Sequence, residues 1–230
     1  AVGQEVWKDD ESCPGRDGRG SDLYLGGDGH ANTPAGDGPV AFAKPERENC
    51  DGYAYDPENP SQHIIDMSEN EIEVPEDYTR EELRQDLLCY TSPVLKEDLV
   101  LTGDMTAELY ISSDAPDTDF VVRVTDVDEN GRSIKLADGL LSARYRNGFA
   151  RSEFLQEGEI VCLKIRTTKL SNCFRKGHRI RVTVTSSAKN FIFPNSNTRE
   201  GFASARTVVA HNRVYHGGLH ASRLTVRVEP

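Results

Sequence analysis

The stretch TAELYISSDAPDTDFVVRVTDVDENGRSIKLADGLLSARYRNG, residues 106–148, decides the fold. It opens with alternation: Ala107, Leu109 and Ile111 share one face, and Glu108, Tyr110 and Ser112 the other. That period of two belongs to a half-buried strand. Residues 113–117 are rich in Ser, Asp and Pro and read as a loop. A second strand follows, with Phe120, Val122 and Val124 turned inward and Val121, Arg123 and Thr125 outward. Asn130-Gly131 then offers a pair that tolerates positive φ in a tight turn, and residues 133–137 form the return strand. Two strands, a turn and a return make a meander, the unit of antiparallel sandwiches.

The same alternation recurs outward from this stretch. Leu23 and Leu25 pair on one face of a short strand at 22–26, broken by Gly26-Gly27-Asp28-Gly29. Leu99-Val100-Leu101 starts the main body. Residues 159–167 set Ile160, Cys162 and Lys164 against Val161, Leu163 and Ile165; both faces are largely apolar, which predicts a central or interdomain strand. Residues 179–185 place Ile180, Val182 and Val184 inward. Val208 and Val209, then Val214, then Leu224, Val226 and Val228 complete the set. Short strands at close spacing with no helical crossover indicate an all-β sandwich, not a parallel sheet.

The first part of the chain is richer in loops. Val2, Val6 and Trp7 are its concentrated apolar residues before a long polar turn. Pro57, Pro60 and Pro75 rule out a helix across 51–75. Thr79-Arg80-Glu81-Glu82 has the form of a capping box, in which the Thr79 hydroxyl accepts from the Glu82 N–H and the Glu82 carboxylate reaches back. It predicts one short helix over 80–88, with Leu83 and Leu87 on the buried side. The division expected is a loop-rich 1–98 followed by the main sandwich at 99–230, in one domain.

With 230 residues, the chain suits one large domain or two small ones. A compact fold of this size buries roughly 70–75% of its unfolded surface, so it needs neither disulfides nor metal. A net charge of −11 without a clustered basic patch excludes nucleic acid as a partner. No apolar run has the length of a membrane span, and no signal peptide is visible; Ala1 in place of Met makes the chain look like a piece of something longer. The five cysteines, Cys13, Cys50, Cys89, Cys162 and Cys173, are odd in number and lack zinc spacing. Reduced thiols suggest a cytosolic setting, with a Cys13–Cys50 bridge left open.

Motifs that could carry chemistry are incomplete. Asp126 to Gly131 copies half of an EF-hand loop, but Ala137 stands where the bidentate Glu belongs. The GGDG and AGDG runs lack the Lys and the helix of a phosphate loop and read as turns. A nucleophile elbow G-x-S-x-G is missing; Gly20-Ser21-Asp22 lacks the closing Gly. Sequence gives none of the six histidines a nucleophile partner. His178, after Gly177, reads as a turn residue. His211, His216 and His220 are close enough to raise a metal site, although a Gly-rich passage is a poor place to converge three ligands. No catalytic residue, metal ligand or cofactor is therefore assigned.

DTDF (117–120), DVDENGRSIKLADG (126–139) and LLSARYR (140–146) resemble the C-terminal domain of the cocaine esterase and X-Pro dipeptidyl-peptidase family. GQEVW (3–7), YAYDPENP (53–60), DLLCYTSPVL (86–95), GHRIRVTVTSS (177–187), PNSNT (194–198) and YHGGLHASRLTV (215–226) fit the same pattern in the same order. The resemblance implies a jelly-roll β-sandwich, galactose-binding-domain-like, which follows an α/β-hydrolase domain and holds no catalytic residue. It implies that hydrolase domain of the same parent chain as partner, with a homo-oligomer as a further possibility. Under it, Ile64, Ile65, Met67 and Ile72 either tuck beneath their own loop or line a wall of the hydrolase's cleft. Trp7, Asp138, Arg144, Tyr145, Arg146, Tyr215 and His216 are candidates for the interdomain face, the two arginines because guanidinium suits bidentate pairing at interfaces. The rival from another class is a stand-alone carbohydrate-binding module, for which the loop at 190–197 offers Phe191 and Phe193.

Overall fold

A computed structural model describes residues 18–64 and 75–229. Thirteen strands follow one another along the chain: β1 (Arg19–Leu25), β2 (Val40–Ala41), β3 (Asn49–Tyr55), β4 (Leu87–Thr91), β5 (Leu99–Gly103), β6 (Thr106–Ser113), β7 (Asp119–Val127), β8 (Ser133–Ser142), β9 (Val161–Arg166), β10 (Leu170–Phe174), β11 (Arg179–Thr185), β12 (Ala210–His216) and β13 (Arg223–Val228). Two antiparallel sheets form a sandwich. The larger runs β10-β5-β13-β6-β12-β3, with β1 and β2 continuing from β13 and β9 joined to β6; the smaller runs β4-β11-β7-β8. The loop-rich first part thus supplies four strands where the sequence reading expected one.

The core lies where the alternation put it. Ala107, Leu109 and Ile111 from β6 meet Phe120, Val122 and Val124 from β7 and Ile180, Val182 and Val184 from β11, all at 2% exposure or less. Burying each such side chain contributes about 1.5–3 kcal/mol, which is what holds the two sheets face to face. The β7–β8 hairpin closes through Asp128 and Arg132, with Gly131 alone in the left-handed region at φ 82°. The return strand runs on to Ser142, five residues past the expected Ala137.

The expectations for residues 79–88 are corrected. The helix over 80–88 is a single 3₁₀ turn, Glu81–Leu83, after which the chain extends into β4. The capping box does not form: the Thr79 hydroxyl donates to Asp77 at 2.6 Å, and the Glu82 N–H goes to the Tyr78 carbonyl. Tertiary partners win, because Glu82 is drawn inside by Arg181, Ser133 and Thr125, and residues 87–91 pair with β11. Leu87 is buried as expected, but Leu83 is 66% exposed.

The outward faces of β7 and β11 are also covered. Val121, Arg123, Thr125, Arg181, Thr183 and Thr185 are all buried; Tyr78 lies over Arg123, and Glu82 bonds Thr125 and Arg181. By contrast β9 lies at an edge, partnered among the described residues by β6 alone. Its Leu163 and Ile165 face the core while Lys164 and Arg166 face solvent, so it is a half-buried strand. Val208 and Val209 precede β12 in an exposed loop. No helix among the described residues is long and apolar enough to cross a membrane.

Candidate functional site

The loops at one end of the sandwich, where β3, β6, β8 and β11 finish and β7 and β12 begin, are tied into a single framework. At its centre is Asp117, fully buried in the β6–β7 connection. Its Oδ1 accepts from the Arg144 N–H at 2.9 Å, and its Oδ2 accepts from Arg144 Nε at 2.8 Å and Asn195 Nδ2 at 2.7 Å. The same amide donates to Asp119 Oδ1 at 2.9 Å, so both Asn195 protons are used. Burial, with the neighbouring Asp117 charge adding to it, pushes the Asp119 carboxyl above its ordinary range.

Arg144 sits in the 3₁₀ turn Ala143–Tyr145 that ends β8, and its Nη2 donates to the Thr198 carbonyl at 3.1 Å. Asn197, at φ 62°, reaches from this loop to the carbonyls of Val208 and Tyr55. Asn is among the few residues other than Gly that enter this left-handed region. The connections after β6, β8 and β11 are therefore braced against one another by charge-assisted bonds at Asp117, and neutral bonds to Tyr55 tie in the end of β3.

On this brace stand aromatic rings that the fold does not bury. Phe149 is 79% exposed, Phe193 78% and Phe202 74%. Phe193 and Phe202 stack with centroids 6.0 Å apart. Phe149 leans on Tyr145 at 5.5 Å, and Phe154 lies within 5.1 Å of the Arg144 guanidinium and 4.6 Å of that of Arg199. Of the eleven exposed large hydrophobic side chains among the described residues, eight belong to the loops after β3, β8 and β11. Apolar exposure is thus concentrated at one end, which is the mark of an interaction surface.

The aromatic run continues to a buried ionic cluster. Phe191 stacks on His63 at 5.0 Å. His63 Nε2 lies 3.1 Å from Lys135 Nζ, 3.4 Å from Asp138 and 3.5 Å from Glu76. Burial opposes ionisation of Asp138, but the His63 hydrogen bond and the Lys135 charge outweigh it and hold the carboxyl down to about 2. Beside the cluster the Arg123 guanidinium lies over the Tyr78 ring, 3.9 Å from its centroid, and burial pushes the Tyr78 phenol up to about 12.

The structure gathers some of the residues singled out in the sequence and disperses others. Arg144, Tyr145 and Arg146 lie in the braced end, where Arg146 donates to the carbonyls of Ala143 and Glu153. Ile64 is 40% exposed next to His63, and its N–H donates to the Tyr78 hydroxyl. Asp138 belongs to the His63 cluster. Tyr215 and His216 lie at the far end of β12, roughly 17–20 Å from the loop end at the rise of a strand. There His216 is 1% exposed and pairs with Asp51 at 2.9 Å, and the Tyr215 hydroxyl bonds Ser112. Ile65, Met67, Ile72 and Trp7 lie outside the described residues, as does Cys13.

His211, His216 and His220 each face a different carboxylate, Asp114, Asp51 and Glu48, and do not converge. His178 bonds Asp126 at 2.9 Å, which takes the first EF-hand position into a side-chain pair. Sequence reasoning passed over Asp117, Asn195, Phe149 and Phe202. The Asp-Thr-Asp placed just before a buried strand was the available signal for the first.

Comparison with known proteins decides the family. A model of the X-Pro dipeptidyl-peptidase C-terminal non-catalytic domain matches residues 2–225. The chain belongs to that family. Among relatives of the X-Pro dipeptidyl-peptidase C-terminal domain, cocaine esterase of Rhodococcus sp. (strain MB1 Bresler) is 35% identical over 234 residues, covering 99% of this chain. The domain spans 40% of that esterase's length. Two solved structures share the fold: an aminopeptidase from a marine sediment Thaumarchaeota archaeon, with a TM-score of 0.88 at 24% identity over all of this chain and 39% of its own, and an α-amino acid ester hydrolase, with 0.83 at 22% over 97% and 38%.

Proposed function

We propose that this chain is the accessory domain of a serine hydrolase of the acyl esterase or Xaa-Pro dipeptidyl-peptidase type. It covers the hydrolase domain and shapes the active-site cleft, while the catalytic Ser, His and acid lie elsewhere in the parent polypeptide. The observation that carries this is the family match over nearly the whole chain, joined to a relative of which that match is 40%. The segment entered through Ile64 is the part we assign to the cleft, because loops on a rigid scaffold are where sandwiches place function. Ile64 is 40% exposed, and its neighbour His63 stacks on Phe191 of the loop after β11, which supports that assignment.

A fluorophosphonate probe on the full-length parent tests the reading. Labelling confined to a serine outside these 230 residues, with turnover of a short acyl ester or an Xaa-Pro amide, is the expected result. Labelling of a serine within them would sink it. A second reading, a carbohydrate-binding module, has one observation in its favour: a groove of about 630 Å³ lined by Asn32, Tyr53, Asp56, Asn59, Arg84 and Asp86. Arg84 is already engaged there by Asp86 and the Asn59 carbonyl, so few donors remain for sugar hydroxyls. A glycan array decides against or for it directly.

A further inference from the structure

We infer that the surface made by Phe149, Phe193 and Phe202 is the seat of the hydrolase domain, and that it and the Ile64 edge form one continuous footprint. This rests on the reading that a hydrolase domain shares the polypeptide.

Three physical facts point there. A monomer gains nothing by holding three phenyl rings at 74–79% exposure when Phe120 and Phe174 are sealed at 0%. The rings stand on backbone fixed by buried bonds, Asp117 to Arg144 and Asn195 to Asp119, so the patch has a set shape before anything meets it. A pre-formed surface loses little entropy on docking. The patch also has the anatomy of an interface core, with aromatic rings inside and arginines at the border, here Arg144 and Arg199 against Phe154.

Continuity gives the direction. Phe193 is two residues from Phe191, which stacks on His63, the neighbour of Ile64. Gly201, before Phe202, comes against the Arg144 guanidinium, and Tyr145 next to Arg144 carries Phe149. A body seated on the phenyl rings therefore extends toward Ile64 by way of Phe191 and His63. Size gives the occupant. The esterase relative has 60% of its length beyond the part matched here, enough for a body larger than this domain.

The test is hydroxyl-radical footprinting of the full-length parent at micromolar concentration, read by mass spectrometry at each Phe. Phe42, 48% exposed after β2, is the internal reference for an open ring, and Phe120 for a sealed one. Docking predicts that Phe149, Phe193 and Phe202 oxidise at least about fivefold more slowly than Phe42. Oxidation as fast as Phe42 overturns the inference. So does protection that appears only as concentration rises, which would assign the surface to a second copy, or only with added oligosaccharide.

The same sample is treated with a fluorophosphonate. A labelled hydrolase whose three rings are open removes this surface and leaves the parent reading standing; absence of any labelled serine removes both. As a second measurement, Phe193→Ser with Phe202→Ser in the full-length protein should split one thermal transition into two. A single unchanged transition counts against docking.

Discussion

Arg144 meets Asp117 twice: its backbone N–H donates to one carboxylate oxygen at 2.9 Å and its Nε to the other at 2.8 Å, with the carboxylate fully buried. Residues 27 apart in sequence are thereby locked so that the turn after β8 sits on the connection before β7. Asn195 joins them from the loop after β11. The exposed aromatic surface inherits its shape from this three-way junction.

Asp117→Ala is therefore expected to cost about 3–5 kcal/mol, since it strands a mostly buried guanidinium and an amide donor. For a chain of this length that is a fall in Tm of roughly 10 °C. Arg144→Lys should recover less than half, because an ammonium cannot reproduce the planar fork that reaches both Asp117 and the Thr198 carbonyl. Calorimetry on the two variants checks this; a Tm within about 2 °C of the parent for Asp117→Ala would show that the junction is not a structural one.

Glu82 makes the second prediction. At 1% exposure it accepts from Arg181, Ser133 and Thr125, and it pins the segment that seals the outer face of the smaller sheet. Glu82→Ala should cost about 3–5 kcal/mol by leaving Arg181 unpaired, whereas Glu82→Leu with Arg181→Met should be close to neutral. Urea denaturation of the single and double variants separates the two. An additive double variant would contradict the pairing.

These two junctions also show where sequence reading stops. The meander of β6, β7 and β8 was legible because one face of each strand meets the core, and alternation records that directly. Residues 79–88 misled because the capping signal is local, while Glu82 is claimed by Arg181, 99 residues away. The outer faces of β7 and β11 read only as turned away from the core; nothing local says that Tyr78 will lie over Arg123. β9 read as central or interdomain because Ile160 and Cys162 make its second face seem apolar; it is not central, and both residues are half-buried at an edge. The Asp117–Asn195 bond spans 78 residues, and no local spacing foretells it. Phe149 and Phe202 are single apolar residues in polar loops, where a core residue and a surface anchor read alike.

Gly139 supplies the third prediction. It lies on β8 where the smaller sheet crosses β9 of the larger one. A Cβ there would stand 2.4 Å from the Arg166 carbonyl oxygen. The adjacent crossing bond, Thr168 N–H to the Asp138 carbonyl at 2.8 Å, fixes the separation. Gly139→Ala must move backbone, at a cost of about 1–3 kcal/mol. Gly20→Ala, which meets no atom within 4 Å, is the control and should stay within about 0.5 kcal/mol. Equal Tm values for the two variants would refute the close approach.

The last prediction concerns acid. Asp138 is held down to about 2 in the folded chain, by the His63 hydrogen bond and Lys135 against the opposing effect of burial, and an unfolded aspartate titrates near 3.9. A carboxyl depressed on folding contributes stability that is complete above its unfolded value and disappears as pH falls through its folded value. The contribution should thus be whole at pH 5 and fade between about pH 4 and 2. Asp119 and Asp126 are displaced the other way by burial; protonating them relieves the folded state, so they partly offset the loss on the acid side. Asp138→Asn removes the depressed group while keeping the shape. In urea titrations the variant should be less stable than the parent at pH 6, and the gap should narrow steadily below pH 4 and close only below about pH 2. A gap that stays constant across that range would mean the charge of Asp138 has no part in holding Lys135 and His63 beneath Phe191.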